Sequence, residues 1–218
     1  MSAPRTIRAD ALTTVDELID VAERLFASEG VENVALTRIV AVSGQKNRSA
    51  LHYHFGSRGG VLRAVLDRRL GPINVRRHAL LDALPADASP YAVVRAEIAA
   101  LAETCFEEPW GADYLSILAQ VRFHPQLLGE EQVREENISS LRLAGRRLRA
   151  AAPQVPEPQI RRRLAWLADS AAFALARWMR DTPAQRRTRA ALDALVDELS
   201  TYGTAGLLAA PAHQEPKA

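Results

Sequence analysis

The chain has 218 residues, 48% hydrophobic and 25% charged, with a net charge of +2. That length fits one domain, or a small head on a larger body, with enough chain to bury about 70% of its unfolded surface, and it argues against a multi-module enzyme. No run of about 18 apolar residues occurs and the first fourteen residues hold no apolar stretch, so neither a membrane span nor a secretory signal is readable and the cytoplasm is the expected location.

The lone Cys105 can form no intrachain disulfide and has no second thiol for a metal site; it reads as a small buried hydrophobe. Of the 28 basic residues, all but Lys46 and Lys217 are arginine. Arginine suits phosphates and guanine edges, but a GC-rich genome gives the same bias, so the position of the charge matters more than its kind.

Val15, Leu18, Ile19, Ala22, Leu25 and Phe26 recur at helical spacing opposite Asp16, Glu17, Asp20 and Glu23, predicting an amphipathic helix capped by Thr13 or Thr14 and ended at Gly30. Leu36, Ile39 and Val40 predict two helical turns stopping at Gly44. A third short helix starts at Asn47, a favoured cap, and places Leu51 and Phe55 one turn apart. Val61, Leu62, Val65, Leu66 and Leu70 open a longer helix that Pro72 kinks or ends.

Further helices are expected over Tyr91 to Phe106, Trp110 to Phe123, Glu130 to Ala152, Gln159 to Arg180 and Ala184 to Leu208, with Pro211 and Pro216 marking a frayed tail. The strict alternation of a half-buried strand is missing, as are a glycine-rich phosphate loop and a GxGxxG turn. The expected fold is all-α with about nine helices.

Three short helices, the last two joined across Ser43-Gly44-Gln45-Lys46, outline a helix-turn-helix head whose third helix would enter the major groove of DNA. Residues 36 to 66 carry Arg38, Lys46, Arg48, Arg58 and Arg63 and no acid, whereas residues 10 to 32 hold seven acids. Nucleic acid is the natural partner of the first stretch. At the start of the third helix, Asn47, Arg48 and Ser49 meet base edges first, and Arg48 can bond guanine bidentately; Tyr53 lies one turn on from Ser49. Thr37, Lys46, His52 and Arg58 are better placed for phosphates, Arg58 at a helix N-terminus, with Arg5 and Arg8 as an arm toward the minor groove. His52 and His54 invite a metal reading, but two residues apart on a helix they face different ways and have no third ligand, so no metal is expected.

The residues Leu25-Phe26, Gly30, Ile39, Gly44, Leu51 to Phe55, Ser57-Arg58 and Leu62 together resemble the DNA-binding head of the TetR family of bacterial transcriptional regulators, over residues 13 to 68. Ala35, Ala50, His52, His54 and Gly59 depart from the family pattern, and Gly44 to Leu51 is one residue longer than usual. The resemblance implies a head at 1–57, an effector-binding and dimerisation body at 58–208 and a tail at 209–218. It further implies a homodimer on a palindromic operator, formed by the last two long helices. There Leu164, Leu167, Ala168, Ala171 and Leu175 make one apolar stripe and Leu192, Leu195, Val196 and Leu199 another, although a core stripe within one subunit would look identical.

The resemblance also implies an effector pocket, for which Phe106, Trp110, Tyr114, Leu118, Phe123 and His124 are the candidate lining because they gather aromatic and polar-tipped side chains around two chain breaks. Plain core would read the same. The expected function is a ligand-responsive repressor that a small molecule releases from DNA, with no cofactor and no catalysis. A DNA-organising protein on the same scaffold is the alternative; a helical enzyme is weaker still, since no nucleophile–base set can be nominated.

Overall fold

A computed structural model describes the backbone of residues 4–44 and 48–210 and the side chains of residues 15–44 and 51–210. Among these residues there are nine α-helices and no strand, in agreement with the expected all-α fold. The head comprises α1 (Pro4–Glu29), α2 (Leu36–Val42) and α3 (Arg48–Phe55), and the body α4 (Arg58–Asp82), α5 (Pro90–Glu107), α6 (Gly111–Phe123), α7 (Ser139–Ala151), α8 (Glu157–Asp181) and α9 (Arg189–Leu208).

Four boundaries differ from the sequence reading. Helix α1 starts at Pro4 rather than at Thr13 or Thr14: proline suits a first helical position, and nothing between Arg5 and Leu12 breaks a helix. Arg5 and Arg8 therefore sit on helical backbone. Helix α4 neither stops nor restarts at Pro72. One backbone bond, to the Arg68 carbonyl, is forfeited there, while buried Ile73 and Asn74 hold the next turn in place.

Helix α7 begins at Ser139, not near Glu130, after 3-10 turns at Pro125–Leu128 and Glu135–Ile138. It has no cap of its own; Asn74 of α4 supplies one, its Oδ1 accepting from the Ser140 amide at 2.9 Å while its Nδ2 donates to the Glu136 carbonyl at 3.1 Å. Asp67 fastens the same connection by accepting from the Arg134 amide at 2.7 Å and from Asn137 Nδ2 at 3.1 Å. Helix α9 starts at Arg189, where the Thr188 side chain accepts from the Ala191 amide at 3.2 Å, and the chain before it forms only a short turn.

One apolar core runs through head and body, from Leu18, Phe26 and Ile39 through Leu62 and Val65 to Ile98, Tyr114, Leu148 and Leu175. An arginine–acid lattice ties the helices at its margin: Arg76 of α4 and Arg189 of α9 meet Glu103 and Glu107 of α5, and Arg95 of α5 meets Asp197 of α9 at 2.7 Å.

Candidate nucleic-acid interface and interior cavity

The head packs through one side of each short helix. Leu51 and Phe55 of α3 are buried against the core that also holds Phe26 and Ile39, which obliges the other side of α3 to face outward. His52, Tyr53 and His54 are exposed there, Tyr53 at 86%, and Thr37 is exposed on α2. Tyr53 and His54 meet edge to face at 5.2 Å between centroids, and His52 Nδ1 lies 3.2 Å from the Gly56 carbonyl. Arg48 and Ser49 occupy the first two positions of α3, though their side chains, like the whole of Lys46 and Asn47, lie outside the described residues.

Three basic residues of the acid-free stretch have protein partners. Arg58 donates to the Glu32 carbonyl at 2.5 Å, bracing the α1–α2 turn, while staying exposed. Arg38 pairs with Glu29 at 2.9 Å, and Arg63 turns into the body, 2.8 Å from Glu131 and 3.5 Å from Asp67. Ser57 caps α4 by accepting from the Gly60 amide at 3.0 Å. Gly60 is obligatory in this join because a Cβ there would stand 1.9 Å from the Phe55 carbonyl oxygen.

Gln120 of α6 fixes head to body. Its Oε1 accepts from the Val31 amide at 2.8 Å and its Nε2 donates to the Phe26 carbonyl at 3.2 Å, so one side chain spans the turn where Gly30 takes φ +90°. A lone glutamine on a helix gives no sequence signal, and the sequence reading passed it over. At the other end of α6, Arg69 of α4 is held bidentately by Glu23 of α1, at 2.9 Å from Nε and 2.5 Å from Nη2, and lies over the Trp110 ring at 4.7 Å.

The six expected effector-lining residues separate. Tyr114 and Leu118 border an interior cavity of about 60 Å³ together with Arg77, Glu97 and Arg122. Phe123 and His124 instead border an open cleft of about 950 Å³ between α6 and α8. Trp110 stacks on Arg69 and meets Tyr114 edge to face at 5.8 Å, and Phe106 packs near Trp178 at 6.3 Å; both lie outside those two linings. The interior cavity is polar at one end: Arg77 Nε stands 2.9 Å from Glu97 Oε2 without hydrogen-bond alignment, and the Tyr114 hydroxyl is buried with no hydrogen-bond partner among the described residues. Burial pushes the Tyr114 phenol and the Cys105 thiol well above their ordinary values, keeping both protonated.

Of the two apolar stripes on α8 and α9, Leu167, Ala171, Leu175, Leu192 and Val196 are buried within one protomer, and Leu164, Ala168, Leu195 and Leu199 are half-buried. The large apolar side chains that α8 and α9 leave open are Trp166, Phe173 and Tyr202. Sequence spacing did not single out the open side, because Trp166 and Phe173 stand there among Arg162, Asp169 and Ser170 and form no continuous apolar stripe.

A helix-turn-helix head on an all-helical body with an interior cavity defines a DNA-binding regulator. Residues 18–65 match the family model of bacterial regulatory proteins, tetR family, and residues 95–206 match that of the tetracyclin repressor-like C-terminal domain. The chain belongs to the TetR family of transcriptional regulators. Similar solved structures share its fold: the fatty acid degradation regulator FadR from Bacillus halodurans, 12% identical, covers 92% of this chain and 97% of its own at a TM-score of 0.60. The TetR-family regulator PfmR from Thermus thermophilus, 17% identical, covers 91% and 97% at 0.51, and a TetR-family regulator from a Rhodococcus species, also 17% identical, covers 86% and 99% at 0.51. No curated protein matches the chain. Among the described residues no helix is long and apolar enough to cross a membrane.

Proposed function

We propose that this chain is a cytoplasmic, ligand-responsive transcriptional repressor that binds a palindromic operator as a homodimer and is released by a small molecule. The observation that carries the reading is the outward face of α2 and α3, where Thr37, His52 and Tyr53 stand exposed in a stretch without acids. One such helix touches too few bases for specificity, which is why two copies about one DNA turn apart are needed. The second copy seats on the face of α8 and α9 that bears Trp166, Phe173 and Tyr202, since most of the expected apolar stripe is already consumed within one protomer. Arg48, Asn47, Ser49 and Tyr53 read bases; Thr37, Lys46, His52 and Arg58 hold phosphates. The role needs neither catalysis nor a cofactor, and residues 1–57 and 58–208 divide it between DNA and effector.

The test is fluorescence anisotropy of the full chain on DNA from its own upstream region against scrambled DNA, at two salt concentrations. Selective, salt-sensitive binding is expected, with Arg48→Ala losing the preference for the operator at the scale of one base contact, about 1–3 kcal/mol. Arg58→Ala should weaken both DNAs alike and lower the salt slope by about one. Equal affinity for both sequences in the parent protein would refute the reading.

A further inference from the structure

We propose that the regulatory ligand is an amphipathic anion, an alkyl chain ending in a carboxylate or phosphate, that enters between α7 and α8 with its head held by Arg146 and Arg161 and its chain directed at Tyr114. The inference rests on the ligand-responsive reading above.

Three voids line up. The interior cavity beneath Tyr114 shares Glu97, Arg122, Leu141 and Ala168 with a neck of about 160 Å³. The neck in turn shares Leu141 and Leu164 with a groove of about 590 Å³ between α7 and α8. The three voids therefore adjoin one another in sequence, from the surface groove to the wall that Tyr114 forms. The floor of the groove is apolar, built by Ile138, Leu141, Ile160 and Leu164, and its edges are basic.

Two acids stand on those edges, and each already has its counter-ion: Glu135 pairs with Arg142, and Glu157 pairs with Arg149 at 2.5 Å. Arg146 and Arg161 are exposed on the same groove, with no acid partner among the described residues. An apolar slot rewards an alkyl chain in proportion to the surface it hides, and a free guanidinium binds a carboxylate or phosphate by two parallel charge-assisted bonds. A neutral chain would leave both guanidiniums unused, and a cationic one would be repelled by them.

The inner end of the path selects against a charged group. Arg77 there is already committed to Glu97 and to the Ser140 hydroxyl at 3.1 Å, and the small cavity, walled by Tyr114 and Leu118, admits only the tip of a chain or a water. Tyr114, Leu118 and Arg122 line this path from α6, the helix whose Gln120 grips the head. A chain lodged in the neck thus bears on the same helix that sets the head's position.

Dodecanoate and dodecyl phosphate are titrated into the full chain by calorimetry below their micelle concentrations, with dodecanol and dodecyltrimethylammonium as controls of equal tail length. Saturable binding of one anion per protomer is expected, weakened at least about tenfold, or ~1.4 kcal/mol, in Arg146→Ala/Arg161→Ala, whose thermal unfolding should match the parent because both side chains are exposed. The stronger of the two anions identifies the head group. Dodecanol should bind more weakly and ignore the arginine substitutions. Absence of saturable anion binding, equal binding by the cation, or full affinity in the arginine variant would overturn the proposal. Operator anisotropy on the same preparations separates the two readings: selective DNA binding without anion binding overturns only the ligand class, whereas anion binding without selective DNA binding overturns the repressor function.

Discussion

Gln120→Ala removes the only side chain seen to bridge α6 to both ends of the α1–α2 turn among the described residues, the Val31 amide at 2.8 Å and the Phe26 carbonyl at 3.2 Å. Each bond contributes about 0.5–1.5 kcal/mol net. Water can reach the partly buried junction, so the combined loss should fall in the lower half of that sum, about 1–2 kcal/mol. For a chain of this size such a loss lowers the melting temperature by about 3–6 °C. The assay is urea unfolding followed by tryptophan fluorescence, with Trp110, which stacks on Arg69 at the N-terminal end of α6, as a reporter of global unfolding. Gln120→Glu sharpens the test: a carboxylate still accepts from Val31 but turns an oxygen toward the Phe26 and Ser116 carbonyls that the amide now serves. It should be no more stable than the alanine variant at neutral pH and regain stability on acidification as the carboxyl becomes a donor. If both variants unfold within about 0.3 kcal/mol of the parent, the bridge contributes nothing and the account of head positioning fails.

Arg69→Ala strands Glu23, whose side chain is 4% exposed, and should destabilise by about 3–5 kcal/mol in chemical denaturation; adding Glu23→Gln should recover part of the loss, and no recovery would show that packing on Trp110 dominates. Gly60→Ala gains helix propensity of about 1 kcal/mol but drives a Cβ to within 1.9 Å of the Phe55 carbonyl oxygen. Sterics should win, with a net loss of about 2 kcal/mol or more, whereas Gly145→Ala, with open space around its Cβ, should stabilise by about 0.5–1 kcal/mol. The Arg76 guanidinium, joined by Arg189, holds the Glu107 carboxyl below the ordinary glutamate range. A lowered folded pKa stabilises above the unfolded value and loses that contribution as pH falls through the folded one. The stability gap between parent and Glu107→Gln should therefore be widest near neutrality and close below about pH 4, as followed by thermal unfolding; a gap independent of pH would contradict the ion-pair assignment.

Much of the head was legible because its signals are local. The 3.6-residue spacing of Leu18, Ala22, Leu25 and Phe26 needs only one buried side, and those residues are buried. Gly30 and Gly44 mark turns with positive φ, which a glycine adopts without strain. The boundaries that were missed had causes elsewhere in the chain or too weak to show. The cap of α7 is Asn74, sixty-six residues from the amide it serves, and Pro72 stays helical because packing outweighs one lost bond.

Charge was the least reliable guide to the site. The run from Arg38 to Arg63 is free of acids in sequence, yet folding brings Glu29 to Arg38, the Glu32 carbonyl to Arg58 and Glu131 to Arg63. The aromatic residues chosen for the pocket likewise scattered into a stacking partner for arginine, a cleft margin and a cavity wall. Composition, period and turn chemistry determined by themselves that this chain is all-helical, that it carries a helix-turn-helix head, and which residues of α3 lie in the core. Tertiary structure alone decided which face of α8 stays open, which guanidiniums remain unpaired and where Gln120 grips the head, because each depends on groups distant in sequence meeting at the short range over which hydrogen bonds and ion pairs act.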